Sequence, residues 1–245
     1  MTIHEHDRLS TGDDADRVTA HALVDRLSAG EPYAVAFGGQ GASSWLASLE
    51  ELVTMAGIES ELARIAGEAE LPLEPVADEL VVVRPIGFEP LRWIRALAAG
   101  EPVPTTHQLT SAAVSLPGVL LTQIAAIRAL GRQGLDFAGT PPVAMAGHSQ
   151  GVLAVEALRA GGARDVELLA LSQLIGAVGT LVARRRGITA LGDRTPMVSV
   201  THADPERVAE LREGFARDVR TVEPPALSSR NGRRAVVITG MPEQL

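Results

Sequence analysis

Pro142-Val143-Ala144-Met145-Ala146-Gly147-His148-Ser149-Gln150-Gly151 carries an apolar, strand-like run into a helical one from Val152 to Ala160. A serine taken through a sharp strand-to-helix turn has its hydroxyl exposed, with backbone N–H groups of the following helix directed at it. Glycine suits both flanks because a Cβ there would collide with the neighbouring strand and helix. Ser149 is therefore a candidate nucleophile; the plainer reading of the same residues is a glycine-rich structural turn.

Upstream, Ser115-Leu116-Pro117 reads as an N-cap followed by proline in the first helical turn, and Val119 to Leu130 continues as an almost wholly apolar, buried helix. Gly131 and Gly134 end it, and Thr140-Pro141-Pro142 marks a turn. Nearer the N-terminus, Tyr33 to Phe37 reads as a short buried strand running into Gly38-Gly39-Gln40-Gly41. Ser43 or Ser44 then caps a long helix whose apolar face is Trp45, Leu49, Leu52, Val53 and Ala56. Strand, helix and strand alternating in this way imply a parallel sheet with helices on its faces. Met1 to Asp16 reads as a mobile arm, followed by a short helix with Val18, Ala22, Leu23 and Leu27 on one face and Gly30 as its stop. Leu80 to Val83 fits either strand or helix edge, and Leu91 to Ala99 fits a helix.

Downstream the texture changes at Gly192 to Pro196. Met197 to Thr201 reads as a strand, and Asp204-Pro205 opens a helix through about Val219. Ala226 to Ser229 and Arg234 to Thr239 are strand-like runs about Asn231-Gly232, a type I′ hairpin signal. Pro242-Glu243 then starts another helix. This β-α-β-β-α order is a ferredoxin-like subdomain without its last strand, as though the chain were cut through a domain.

The chain has 245 residues, 46% of them hydrophobic, a formal net charge of −8, no cysteine and no lysine. Absence of cysteine excludes disulfides, thiolate nucleophiles and Cys-ligated zinc. Absence of lysine excludes Schiff-base chemistry, pyridoxal phosphate attachment and a P-loop. The negative balance argues against nucleic acid as a partner. No apolar stretch reads as long enough to span a bilayer, and Met1 to Asp16 has no signal-peptide h-region, so a cytoplasmic protein with no membrane partner is expected. The six histidines show no metal-ligand spacing, and no metal site is expected.

Phe37-Gly38-Gly39-Gln40-Gly41, the long helix after it, the Ser115-to-Leu130 helix and Ala146-Gly147-His148-Ser149-Gln150-Gly151 resemble the acyltransferases of fatty acid and polyketide synthesis. In that family a Gly-Gln-Gly loop lies beside a Gly-His-Ser-x-Gly elbow, and a ferredoxin-like subdomain interrupts an α/β-hydrolase-like core. The resemblance covers Glu31 to Leu245. Gln150 after the serine, the double glycine before Gln40 and the run Leu120-Leu121-Thr122-Gln123 look most like the N-terminal acetyltransferase domain of microbial type I fatty acid synthases. The residue pattern gives an N-terminal arm and short helix over 1–30, and the resemblance implies an α/β-hydrolase-like parallel-sheet core over 31–195 and a truncated ferredoxin-like subdomain over 196–245.

It also implies roles. Ser149 would take acetyl from acetyl-CoA as a seryl ester and pass it to the phosphopantetheine thiol of an acyl carrier protein domain, with no permanently bound cofactor. The backbone N–H groups of Gln150 and Gln40 would form the oxyanion hole, which matches the need of a tetrahedral intermediate for two fixed donors. His148 would contact the pocket, although a structural histidine fits equally. Malonyl-specific members carry an arginine that falls here on Ile175, with Leu174 the neighbouring possibility. An apolar side chain there favours a short neutral acyl group, because a buried unpaired carboxylate costs several kcal/mol. Ile175 as plain core, with Arg92 or Arg95 reaching in, is the competing reading.

The family's general base is a histidine that follows the ferredoxin-like subdomain. His107 and His202 read as surface or core residues, so the base is expected beyond Leu245 and this chain alone is expected to be weakly active or inactive. Arg184-Arg185-Arg186 reads as a solvated helix end suited to the dipole, with carrier-protein docking as its functional alternative. Trp45 and Trp93 read as core or interface anchors. The partners implied are acyl-CoA, the carrier protein and other domains of a homo-oligomeric synthase. Three other functions remain open: a malonyl- or palmitoyl-type transacylase, a serine hydrolase, and a non-catalytic segment of the synthase. The hydrolase reading wants an HGGG-like loop and an acid and histidine after the serine, whereas the loop is GGQG and only His202 follows.

Overall fold

In the computed structural model these patterns become a mixed α/β protein of helices and two small sheets, one parallel and one antiparallel. Residues 22–39, 44–69, 86–185, 197–202, 204–218 and 225–240 are described. They fall in two compact units, Met1–Thr180 and Leu181–Leu245.

The first unit begins with helix α1 (22–28), which stops before Gly30 at φ +93°. Strand β1 (Ala34–Phe37) follows, then α2 (Trp45–Ala56), α3 (Glu59–Glu68), α4 (Pro90–Ala98), α5 (Thr106–Thr110) and α6 (Ala112–Arg132). Strand β2 (Ala144–Gly147), α7 (Gly151–Arg159) and α8 (Asp165–Arg185) complete it, the last turn of α8 passing into the second unit. The expected arm at Met1 to Asp16, Val18, the Leu80-to-Val83 run, Ser43, Arg186 and the helix start at Pro242 lie outside the described residues.

Strands β1 and β2 pair in parallel, with Ala34 opposite Ala144 and Phe37 opposite Gly147. Neither is the buried strand that its apolar sequence suggests: Ala34, Ala36, Ala144 and Ala146 are exposed. Burial in a parallel strand comes from helices covering both faces, and here only two strands form the sheet among the described residues.

The core lies instead among helices, with Leu49, Ile58, Leu62, Ile65, Leu120, Leu121, Ile124 and Leu169 almost fully buried. Their spacing on α2, α3 and α6 is the three-and-four period that puts one face inward. Helix α6 is its axis. It starts at Ala112, after Ser111, so Ser115 is not its cap and Pro117 sits inside it. Proline there removes one N–H from the helical ladder, yet Pro117 is fully buried, and packing holds the helix through it. Similarly Ser44 precedes α2 without a capping hydrogen bond from its side chain. Thr105 and Gln108 form the capping box that starts α5.

Trp45 locks α2 to α6. A Cβ on Gly118 would stand 2.6 Å from its ring, so only glycine lets the indole lie on the helix. The indole Nε1 donates to the Leu109 carbonyl at 3.1 Å, and the ring meets Trp93 of α4 at a centroid distance of 6.3 Å. Both tryptophans are thus the core anchors that the sequence suggested.

Helices α6 and α8 are each 21 residues long and apolar enough, by length and composition, to cross a membrane, contrary to the reading that no stretch reaches that length. More than half of the α6 segment is buried in the core. Helix α8 buries Leu168, Leu169, Ser172, Gln173, Gly176 and Ala177 and leaves Leu171, Leu174, Ile175 and Val178 outward.

Arg128 of α6 pairs with Glu61 of α3 at 2.7 Å and with Asp165 at the start of α8. Burial raises the Asp165 carboxyl above its ordinary value of 3.8, and Arg128 only partly opposes that rise. The folded state therefore holds this proton more tightly than the unfolded chain does. Its contribution to stability is full below pH 3.8 and is lost as pH rises through the folded value.

The second unit contains β3 (Met197–Thr201), α9 (Pro205–Asp218), β4 (Ala226–Gly232) and β5 (Ala235–Thr239). The sheet order is β3-β5-β4, and β5 runs antiparallel to both neighbours. This is a split β-α-β arrangement, the two strands joined by α9 being separated by an inserted third. Asp204 Oδ1 accepts from the Glu206 N–H at 3.0 Å and Pro205 begins the helix, as the dipeptide suggested. The hairpin reverses at Arg233-Arg234 rather than Asn231-Gly232. Register shifts between Leu227 and Ser229 and between Arg230 and Gly232 each leave one residue of β4 without a partner in the ladder, so the pairing does not follow the regular register of a hairpin closed at Asn231-Gly232.

Gly118→Ala is expected to cost about 1–3 kcal/mol by overpacking the Trp45 ring, read as a lower urea midpoint. For Asp165→Asn, the wild-type stability relative to the variant is expected to fall as pH rises from 3.8, measured by urea unfolding across a pH series.

Candidate active site

The end of β1 and the turn after β2 meet at one atom. The Phe37 carbonyl oxygen accepts from the His148 N–H at 2.9 Å, extending the parallel ladder one residue past Gly147. The chain then reverses within His148 to Gly151, where the Gly151 N–H donates to the His148 carbonyl at 2.9 Å and the Leu153 N–H to the Gln150 carbonyl at 2.9 Å. The glycines are steric requirements. A Cβ on Gly147 would stand 2.4 Å from the Gly151 carbonyl carbon, and one on Gly151 would stand 2.3 Å from the Phe37 oxygen.

Ser149 is at the apex, exposed, with φ +53°. That left-handed conformation costs an L-residue roughly 1–2 kcal/mol. A non-glycine residue is held there by the surrounding turn, a form of strain concentrated at functional sites. Gln150 follows at φ −61°, at the N-cap of α7. Its N–H opens the helix, where the first N–H groups have no intrahelical acceptor and favour negative charge.

The expected neighbour of the elbow is also present. Gly39 packs against it so closely that a Cβ would lie 2.9 Å from both the His148 carbonyl oxygen and Ser149 Cβ. Gly39, two residues after β1, thus lies directly beside the candidate nucleophile. Gln40 lies outside the described residues. His148 is exposed, its Nδ1 3.3 Å from the same Gly39 position.

Two glutamines crowd this region. Gln150 is 7% exposed, and neither Nε2 nor Oε1 has a hydrogen-bond partner among the described residues. Gln123 of α6 donates from Nε2 to the Gly38 carbonyl at 2.8 Å, while its buried Oε1 is unpartnered among the described residues. Sequence reading missed Gln123 as a site residue. Its signal was available, since Thr122-Gln123 interrupts an otherwise apolar run from Val119 to Ile127.

Ile175 is on the outward face of α8 and 47% exposed, with Leu174 beside it at 40%, so neither is a core side chain. Arg92 and Arg95 are exposed and engaged in ion pairs with Glu89 and Glu59. Among the described residues no hydrogen bond reaches the Ser149 hydroxyl. His107 is exposed on α5, and His202 is exposed after β3, at φ +61°, its carbonyl accepting from Arg234. The cleft bounded by Ile86, Trp93, Glu101 and Pro104 includes no residue of the elbow.

Residues 196–245, the second unit from β3 onward, match the family model of the fatty acid synthase central AT domain. That match supports a fatty acid synthase acyltransferase and, with it, partner domains within a synthase. Comparison of the chain with curated proteins yields no match.

Because Ser149 is left-handed, Ser149→Gly is expected to be more stable than Ser149→Ala by about 1 kcal/mol, the reverse of the order in a helix or strand. Urea midpoints of the two variants check this, and equal midpoints would mean that the turn relaxes when the hydroxyl is removed.

Proposed function

We propose that the chain is the serine-bearing part of an acetyl-CoA:carrier-protein transacylase of a type I fatty acid synthase. The observation that carries this reading is Ser149, exposed at φ +53° on a strand-to-helix turn with the Gly39 backbone pressed against it. The match of residues 196–245 adds the family context. In this reading residues 31–195 are the α/β-hydrolase-like core, and the split β-α-β sheet belongs to the ferredoxin-like subdomain over 196–245.

Ser149 Oγ attacks the thioester carbonyl carbon, giving its proton to a base. The new oxyanion is met by the Gln150 N–H at the start of α7 and by the N–H of Gln40. The C–S bond breaks, coenzyme A leaves as the protonated thiol and acetyl remains on Ser149. A phosphopantetheine thiol of the carrier protein then attacks the ester, transferring acetyl and restoring the hydroxyl. The base is a histidine supplied from outside the described residues, and without it acylation is slow. The apolar side chain of Ile175, with Leu174 the neighbouring possibility, favours acetyl over malonyl, because it offers a carboxylate no partner. The parent assembly is a cytoplasmic homo-oligomer, with no cofactor permanently held by this part.

Intact-mass analysis of the folded chain tests the reading, using acetyl-CoA or malonyl-CoA with imidazole as a diffusible base. Acetylation that disappears in Ser149→Ala, with little malonylation, is the expected result. No adduct from either donor would leave a serine hydrolase or a structural segment as the better reading. Ile175→Arg is expected to raise malonylation relative to acetylation about tenfold or more, since one charge-assisted hydrogen bond contributes about 1.5–3 kcal/mol. Preferential malonylation of the unaltered chain would overturn the assignment of Ile175.

A further inference from the structure

Adjacent residues of α6 grip the two ends of one segment. Thr122 Oγ1 donates to the Trp45 carbonyl at 3.2 Å, and Gln123 Nε2 donates to the Gly38 carbonyl at 2.8 Å. Between these carbonyls the chain passes from the end of β1 to the start of α2. The Gly38 end is the critical one. Its carbonyl oxygen lies 2.9 Å from where a Gly151 Cβ would stand, and Gly39 touches His148 and Ser149. A shift at Gly38 is therefore transmitted to the elbow by backbone contact, without any flexible side chain to absorb it.

We propose that Gln123 is a positioning residue for acyl transfer: its amide N–H holds the Gly38 carbonyl and so fixes the Gly38-Gly39 backbone against the Ser149 turn. The proposal rests on Ser149 being the nucleophile. The chemistry of the amide supports it. Only the donor half of the side chain is used, and Oε1 is buried without a partner among the described residues. A helix seeking only to fill space at this position would be better served by leucine or methionine. An amide at this position supplies a donor to the Gly38 carbonyl at a fixed point of the backbone, which an apolar side chain cannot do. Gln123 acts through Gly38 and Gly39, and touches no reacting atom in this scheme.

The test replaces the donor at nearly constant volume. Gln123→Glu sets an acceptor against the Gly38 carbonyl, and Gln123→Met removes polarity while keeping the shape; Met serves if the Glu variant fails to fold. Single-turnover acylation of Ser149 by acetyl-CoA with imidazole gives the rate constant and its half-saturating concentration. Hydrogen exchange at the His148 amide, bonded to the Phe37 carbonyl, reports the elbow contact. The expected result is a rate constant lower by about tenfold or more, since small misplacements of reacting groups cost up to about 100-fold. Half-saturation stays within about twofold, and the His148 amide exchanges faster while the urea midpoint holds. Wild-type-like acylation in both variants, or a loss that merely follows the unfolded fraction, overturns the proposal while leaving Ser149 as nucleophile. A folded wild-type chain that takes no acyl group overturns the reading of Ser149 and this inference together.

Discussion

The backbone oxygen of Phe37 is where the first unit is tied together. It accepts the His148 N–H and leaves no room for a side chain on Gly151, so β1, the turn after β2 and the first residue of α7 meet around it. Such contact is possible only between backbones stripped of Cβ atoms. Once Gly147 and Gly151 permit it, the chain has too few residues to reverse gradually, and Ser149 is driven into the left-handed region. The exposure of its hydroxyl is a result of this crowding. Strain at Ser149 is sustained because hydrogen bonds on both sides of it would have to break for the turn to relax.

Around that point the helices supply what the small sheet does not. Trp45, seated on Gly118 and hydrogen-bonded to Leu109, joins α2, α5 and α6, and Trp93 brings in α4. Arg128 ties α3 and α8 to the same central helix. Since a buried aromatic contributes through large apolar area and fixed geometry, the tryptophans set the separation of the helices. The elbow is thus supported from behind by a core in which α6 is the common member.

Much of this was legible in the residues. The elbow, the apolar face of α2 and the boundaries of β3 and α9 follow from local patterns of glycine, period and capping. What escaped depends on contacts distant in sequence. Pro117 and the start of α6 follow packing rather than first-turn preference, and the reversal at Arg233-Arg234 accompanies register shifts that a dipeptide rule ignores. The exposure of β1 could not be foreseen, because an apolar strand does not state how many neighbours it has. Gln123 escaped for a similar reason. An amide in an apolar helix announces a hydrogen-bond partner, but Gly38 is 85 residues away. The adjacency of Gly39 and Ser149, by contrast, could be anticipated from likeness to a family, and the close backbone contact gives that adjacency a physical cause.

The concentration of attachments on one short stretch of α6 bears on how this protein can vary over evolution. Gly118 and Thr122 meet the ring and the carbonyl of Trp45, and Gln123 meets Gly38. An α-helix turns by about 100° per residue. Insertion or deletion of one residue between Gly118 and Gln123 would swing the indole seat and the amide donor to different sides of the helix. Descendants of this sequence can therefore change length in their connecting loops, whereas the distance along α6 from glycine to glutamine has to be inherited intact.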